Sequence, residues 1–323
     1  MSFRSGLIAA LLVLCAAQTV QAQEDASKYP SRTIRIVVGF AAGGGNDIIA
    51  RIYAQKLSKE LGQPVIVENK PGAGAILAAE YVSKAVPDGY TLLVGATGMA
   101  INQSLYARLP YDSVRDFVAI SELASFPLLM VVNSSSPIKS VAELVAYAKA
   151  NADKMNYSSS SATFQLVTEL CKQKTGAPMQ MIPYKSANEM VLAVVSGQVT
   201  ATIADAGPVS PQVKAGTVRA LAVTSPKRIA DFPDLPTMKE AGADVEAMIW
   251  TGIFAPKGTP PAIVKKLEGE FMKIARLPEV ASRLKAIGVD AVGSSTDEFT
   301  RILQDDINRW GAVVKVSNIK IEQ

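Results

Sequence analysis

Three consecutive glycines, Gly43, Gly44 and Gly45, stand between the apolar run TIRIVVGF and a helical pattern that opens at Asp47, inside the stretch FAAGGGND from Phe40 to Asp47. Glycine runs at strand-to-helix junctions cradle phosphates, approach dinucleotides, take up smaller anions, or only turn the chain. The dinucleotide spacing G-x-G-x-x-G fails here, because Ile48 fills the last glycine position when Gly43 opens the motif, and no Walker lysine follows. Asp47 weighs further against a phosphate: a carboxylate at the helix start offsets the partial positive end and competes for the same N–H groups. A single carboxylate is a weaker demand. Exposed N–H groups from Ala42 to Gly45 can meet it directly or through water, with the helix start adding about 0.3–1 kcal/mol. Asp47 then caps its own helix or holds an ammonium group on the ligand, and a tight turn without any ligand is the plain alternative.

A second stretch, NYSSSSATFQL, runs from a strand through Ser158, Ser159, Ser160 and Ser161 into a helix that begins at Ala162 or Thr163. Serine hydroxyls and unpaired N–H groups at a helix start also suit a carboxylate, against the simpler reading of an N-cap in a solvated loop. The chain contains no histidine. A Ser-His-Asp triad, a Cys-His pair and the common zinc sites are thereby excluded. Acid–base chemistry from Asp47, Asp205 or Lys185 on a carboxylate substrate stays open, although no motif brings an acid and a base together.

The elements that must position these loops alternate in the manner of a parallel α/β sheet: TIRIVVGF, DIIARIYAQKLSKELG, PVIVEN, a helical AGAILAAEYVSKAV, then YTLLVGA. Ile48, Ile49, Ile52, Tyr53, Leu57 and Leu61 recur at three- and four-residue steps and give the first helix one buried face, closed by Gly62. After two extended stretches, VAISEL and PLLMVVN, the pattern restarts with SVAELVAYAKAN. A Pro278-interrupted helical region and the amphipathic DEFTRILQDDINRWGAVVKV close the chain. Two α/β lobes follow, the first interrupted by the second: residues 23–122 with 247–323, and residues 123–246, with crossings near Glu122 and Glu246. Ligands in such sheets sit beyond the carboxyl ends of strands, and two facing lobes turn that position into a cleft.

Arg4, the apolar LIAALLVLCAAQTV and the small-residue pattern ending at Ala22 read as a secretory signal peptide over residues 1–22. Bulky Leu14 before Cys15 is a poor fit to lipoprotein processing, and no later run is long enough to span a membrane. Thirty-three Lys and Arg stand against 29 Asp and Glu, scattered rather than striped, so nucleic acid is not expected as a partner. Cys171 alone survives cleavage and reads as a small buried hydrophobe.

The segments IRIVVGFAAGGGND, ENKPGAGAILAAEYVSKAVPDGYTLL, LPYDSVRDF, FPDLPTMKEAG, LAVTSPKR and WTGIFAPKGTPPAIVKKL, in this order over nearly the whole mature chain, resemble the tripartite tricarboxylate transporter substrate-binding proteins, the Bug or TctC-like family. The resemblance implies a periplasmic protein with a two-lobed, hinge-closing Venus flytrap fold, each lobe a mostly parallel sheet flanked by helices. It implies capture of a small carboxylate and delivery to the membrane subunits of a transporter, by a monomer without a cofactor or metal. A sensor input for a membrane signalling receptor is the alternative use of the same fold. The implied ligand residues are Phe40, Ala41, Ala42, Gly43, Gly44, Asn46 and Asp47 in the first loop and Ser159, Ser160, Ser161, Ala162, Thr163 and Gln165 in the second, with Thr97 and Asp205 lining the cleft. Gly45 and Asn46 replace the family's usual Pro-Thr, Gln165 takes the place of a histidine, and Ser186 that of a glycine. These departures gather at the loops where selectivity is decided.

Overall fold

The computed structural model describes residues 28–319, so the expected signal peptide lies outside the described residues. In the first lobe β1 (Ile34–Val38) pairs in parallel with β2 (Val65–Asn69) and with β3 (Thr91–Ala96). Helix α1 (Gly45–Leu61) crosses from β1 to β2 and ends at Gly62, whose φ of 66° is the left-handed C-terminal stop. The helix expected over AGAILAAEYVSKAV is shorter at its front. Ala73, Gly74 and Ala75 all take positive φ, and α2 (Ile76–Ser83) begins only after that turn. The reason is a close approach: a Cβ on Gly39 would stand 2.4 Å from the Ala75 Cβ, so the end of β1 packs directly against the turn.

Strand β4 (Phe117–Asn133) unites the two extended stretches read separately in the sequence. It runs antiparallel to β9 (Met248–Pro256) from Phe117↔Pro256 to Pro127↔Met248, with two register shifts on the way. Past Pro127 it leaves β9 and pairs with β7 (Ala201–Asp205) and β8 (Val218–Val223). One strand therefore belongs to the sheets of both lobes. The second sheet continues in parallel from β7 to β5 (Asn156–Ser159) and β6 (Gln180–Pro183), while β9 pairs antiparallel with β3 and β10 (Asp290–Ala291) with β4. Each sheet is parallel away from the crossing strands and antiparallel at them.

The remaining helices are α3 (Gly98–Leu105), α4 (Val141–Ala150), α5 (Ala162–Thr175), α6 (Ala187–Val195), α7 (Ala206–Lys214), α8 (Pro261–Ala275), α9 (Pro278–Lys285) and α10 (Thr296–Ser317). Neither α3 nor α7 was legible as a helix, being short and, in α7, carrying Pro208 and Pro211. Helix α10 straps the two lobes. Near its start Thr296 donates to the Ile120 carbonyl, and near its end Gln173 of α5 donates to Ser317 Oγ at 2.8 Å. Its Phe299 packs edge-on to Trp250, with centroids 5.1 Å apart, directly over Gly252, where a Cβ would stand 2.0 Å from the Phe299 ring. Trp250 Nε1 donates to Asp306 Oδ2 at 2.7 Å in the same contact. Cys171 is fully buried, which supplies the packing role expected of it.

Where the crossings meet, Thr224 joins three segments. Its N–H donates to the Leu128 carbonyl, its hydroxyl accepts from the Leu128 N–H at 2.9 Å and donates to the Ala247 carbonyl at 2.7 Å, and its own carbonyl accepts from Ala247. Pro127 has no N–H for a ladder at this point, so Thr224 supplies the pairing that lets β4 pass from one lobe to the other. Thr224→Val keeps the shape and strands the Leu128 N–H and the Ala247 carbonyl, which should cost about 1–3 kcal/mol in denaturant unfolding, with Thr224→Ser recovering most of it. A Val variant as stable as the parent would contradict this role.

Candidate functional site

The first turns of four helices face one cavity of about 620 Å³ between the lobes. Gly45 and Asn46 open α1, Thr97 and Gly98 open α3, Ser161, Ala162 and Thr163 open α5, and Asp205 and Gly207 open α7; all lie on the cavity wall. Two helices come from each lobe. The first N–H groups of a helix have no partner within it, and their dipoles give that end a partial positive charge. Where serine stands at such an end away from the cavity it caps: Ser140, Ser186 and Ser295 each accept an N–H from the third residue of their helices, whereas α2, α8 and α9, preceded by Ala75, Pro260 and Leu277, have no side-chain cap. At the cavity Thr97, Ser161 and Asp205 are residues of the capping type, and none of them caps. The helix starts that line the cavity are thus left without a side-chain cap.

Each cap side chain has another occupation or none. Thr97 Oγ1 accepts from the Trp250 N–H at 2.9 Å, which ties α3 to β9. Asn46 Oδ1 accepts from the buried Thr251 hydroxyl at 2.6 Å, so the donor half of the Asn46 amide is what remains for the cavity. Ser161 and Ser160 stand on the wall, whereas Ser159 Oγ turns inward to the Ser161 carbonyl and Ser158 Oγ to that of Met190. Asp205 is different again: its Oδ1 is buried with no hydrogen-bond partner, and burial raises its pKa to about 6. Among the described residues Tyr106 is the other ionisable side chain on the wall, and none of them there is a lysine or arginine. Phe40, Ile48, Ile101, Phe126, Phe164 and Ile249 supply apolar surface between the polar ends.

The sequence-predicted residues divide cleanly. Phe40, Asn46, Thr97, Ser160, Ser161, Ala162, Thr163 and Asp205 are brought together on the wall. Ala41, Ala42, Gly43, Gly44, Asp47, Ser159 and Gln165 are not on it. Two of the N–H groups expected to face the ligand are already spent, that of Gly43 on Asp47 Oδ2 at 2.8 Å and that of Gly44 on the Ala41 carbonyl. Asp47 lies behind the loop. Its carboxylate accepts from Gly43, Arg51 Nε and Asn69 Nδ2, and Asn69 Nδ2 also donates to the Phe40 carbonyl, so this network fixes the glycine loop from the rear. Burial pushes the Asp47 pKa up, but the Arg51, Gly43 and Asn69 hydrogen bonds outweigh it and hold the carboxyl below its ordinary value. Asp47 serves the loop rather than an ammonium group.

Sequence reasoning missed Gly74, Tyr106, Phe126 and the turn at Ile287 and Gly288. That turn meets α7 across the cleft: a Cβ on Gly288, whose φ is +76°, would stand 2.9 Å from the Gly207 nitrogen. Its positive φ was the one available signal, and it is not readable without coordinates. A shallower hollow of about 780 Å³ lies on the outside of the second lobe near Arg219. There the Arg219 guanidinium is already committed to the Ser134, Ser136 and Ile138 carbonyls.

The family model described as tripartite tricarboxylate transporter family receptor, TctC, matches residues 49–319. Protein BugT of Bordetella pertussis is 33% identical over 321 residues, covering 98% of this chain and 98% of the relative. Among solved structures, Rpa4515 of R. palustris with adipate is 34% identical with a TM-score of 0.79, over 91% of this chain and 100% of that one. MatC (Rpa3494) from Rhodopseudomonas palustris with bound malate is 31% identical with a TM-score of 0.75, over 88% of this chain and 100% of that one. The mixed sheet, flanking helices and two lobes are those of the α/β periplasmic binding proteins.

The Asp205 pKa carries a stability consequence. Its folded value lies above the 3.8 of an unperturbed carboxyl, so the folded empty protein holds the proton more tightly than the unfolded chain. The stability this contributes is fully present below about pH 4 and lost as pH rises through about 6. Asp205→Asn should therefore raise the melting temperature of the ligand-free protein at pH above about 7, and the gap between variant and parent should close near pH 4. A gap of the same size at both pH values contradicts the assignment.

Proposed function

The chain belongs to the tripartite tricarboxylate transporter receptor family, and from that premise we propose that it is a periplasmic solute-binding protein that captures a small organic carboxylate between its lobes and delivers it to the membrane subunits of a tripartite tricarboxylate-type transporter. The observation that carries this reading is the set of helix starts that face one cavity without being capped by Thr97, Ser161 or Asp205. Free N–H groups at helix N-termini recognise an anion without a cationic side chain, each end contributing about 0.3–1 kcal/mol when exposed and up to about 2 when partly buried. The apolar wall between the polar ends suits an aliphatic chain. Rpa4515 was solved with adipate and MatC with malate, acids of this size and kind.

In the proposed cycle residues 23–122 with 247–323 form one moving body and residues 123–246 the other, flexing where β4 passes Thr224. Closure brings α5 and α7 of the second body onto a ligand whose carboxylate already rests against α1 and α3 of the first. Affinity then depends on contacts made only in the closed form. The signal sequence over residues 1–22 directs the protein to the periplasm, where it works as a monomer and without a cofactor. Ligand binding rather than catalysis is the function.

A thermal-shift screen of small mono- and dicarboxylates, each beside its uncharged amide, tests the reading. At least one acid should raise the melting temperature by several degrees, following the mass-action gain of about 2.7 kcal/mol at a hundredfold excess over Kd, while its amide should not. Flat curves for every acid on a folded, ligand-free protein would contradict it.

A further inference from the structure

A carboxylate held by helix starts leaves one wall residue unexplained, Asp205. It stands at the N-cap of α7, where an aspartate ordinarily accepts an N–H from the second or third residue of its helix. The third residue is Pro208, which has no N–H, and Asp205 makes no cap bond at all. The third-residue donor is thus removed, and the N–H of the second residue, Gly207, is not bonded to Asp205 either. Asp205 Oδ1 is buried at the cavity without a hydrogen-bond partner, and no lysine or arginine on the wall neutralises it. The start of α7 offsets part of the cost of that charge, and the rest stays unpaid in the empty protein.

A ligand can relieve or worsen this. An acid placing a second carboxylate against Asp205 would set two like charges together in a closing cavity, and a purely aliphatic end would leave the oxygen as unpaired as before. A ligand that brings its own positive charge supplies both a donor and neutralisation. We infer that the ligand is zwitterionic, an organic acid bearing an ammonium group, with its carboxylate at the starts of α1, α3 and α5 and its ammonium donating to Asp205 Oδ1. The inference rests on the carboxylate reading above and adds the second half of the ligand. The Asn46 amide, whose oxygen is taken by Thr251, remains a donor and so belongs to the carboxylate end. Asp205 belongs to the other end.

Calorimetry on matched pairs at neutral pH tests it: succinate beside aspartate, glutarate beside glutamate, and butyrate beside γ-aminobutyrate, with malate as a hydroxyl-bearing control, on the parent and on Asp205→Asn. At least one amino acid should bind the parent about thirtyfold tighter than its amine-free partner, the size expected for a desolvated charge pair. Asp205→Asn should reduce that ratio to near one, and its unfolding transition shows whether it is folded. Amine-free acids or malate binding as tightly as their amino counterparts, or a preference that survives in Asp205→Asn, would overturn the assignment while leaving the carboxylate reading intact. If neither series binds to folded protein, both readings fall together.

Discussion

An anion can leave water only if donors await it, and this cavity offers no lysine or arginine on its wall for the purpose. In the reading proposed here the potential comes instead from backbone N–H groups at the starts of α1, α3 and α5, while the start of α7 carries Asp205. Everything else in the fold follows from having to aim four helix ends at one point. In a parallel α/β unit each helix begins just beyond the carboxyl end of a strand, so α1 follows β1, α3 follows β3, α5 follows β5 and α7 follows β7. Two such sheets joined edge to edge through β4 turn those ends toward a common space.

The supports around the site serve that aim. Asp47, Asn69 and Arg51 lock the glycine loop from behind, and Trp250 holds Thr97 at the mouth of α3. Fixed dipoles of this kind need no reorganisation when the ligand arrives, so the ordering cost lies in the folding of the protein rather than in binding. The cycle proposed here needs the two lobes to move about the joint where β4 passes Thr224. Beyond β4 and the Thr224 node, α10 ties them by resting on Ile120 at one end and on Gln173 at the other, and Lys285 of the first lobe pairs with Asp231 of the second at 3.3 Å. The touching glycines Gly207 and Gly288 bring the cleft faces into contact with no side chain between them.

Much of this was legible in the sequence, and the exceptions have physical reasons. The glycine loop and the serine loop could be found because each joins a strand-forming run to a helix-forming one, and local periodicity records that junction, whereas Thr97 and Asp205 were reached through the family resemblance. Which N–H groups remain free could not be found: Gly43 and Gly44 were spent on Asp47 and Ala41 by the fold of a turn that composition alone does not encode. Helix α7 escaped because Pro208 and Pro211 read as breakers, and α3 because the Thr97-Gly98 pair that opens it reads as a turn after β3. Tyr106 and Gly288 reach the site through tertiary packing from distant segments, which leaves no local mark.

The central claim is that backbone N–H groups at helix starts, and not side-chain cations, hold the ligand. Amide NMR of the protein titrated with its tightest-binding acid reads those groups one by one. The amide protons of Gly45, Asn46, Gly98, Ala162 and Thr163 should move downfield on saturation and exchange more slowly with deuterium, since each gains an anionic acceptor. Saturated protein in which these amides stay where they were, while shifts gather around lysine and arginine side chains elsewhere, would contradict the account.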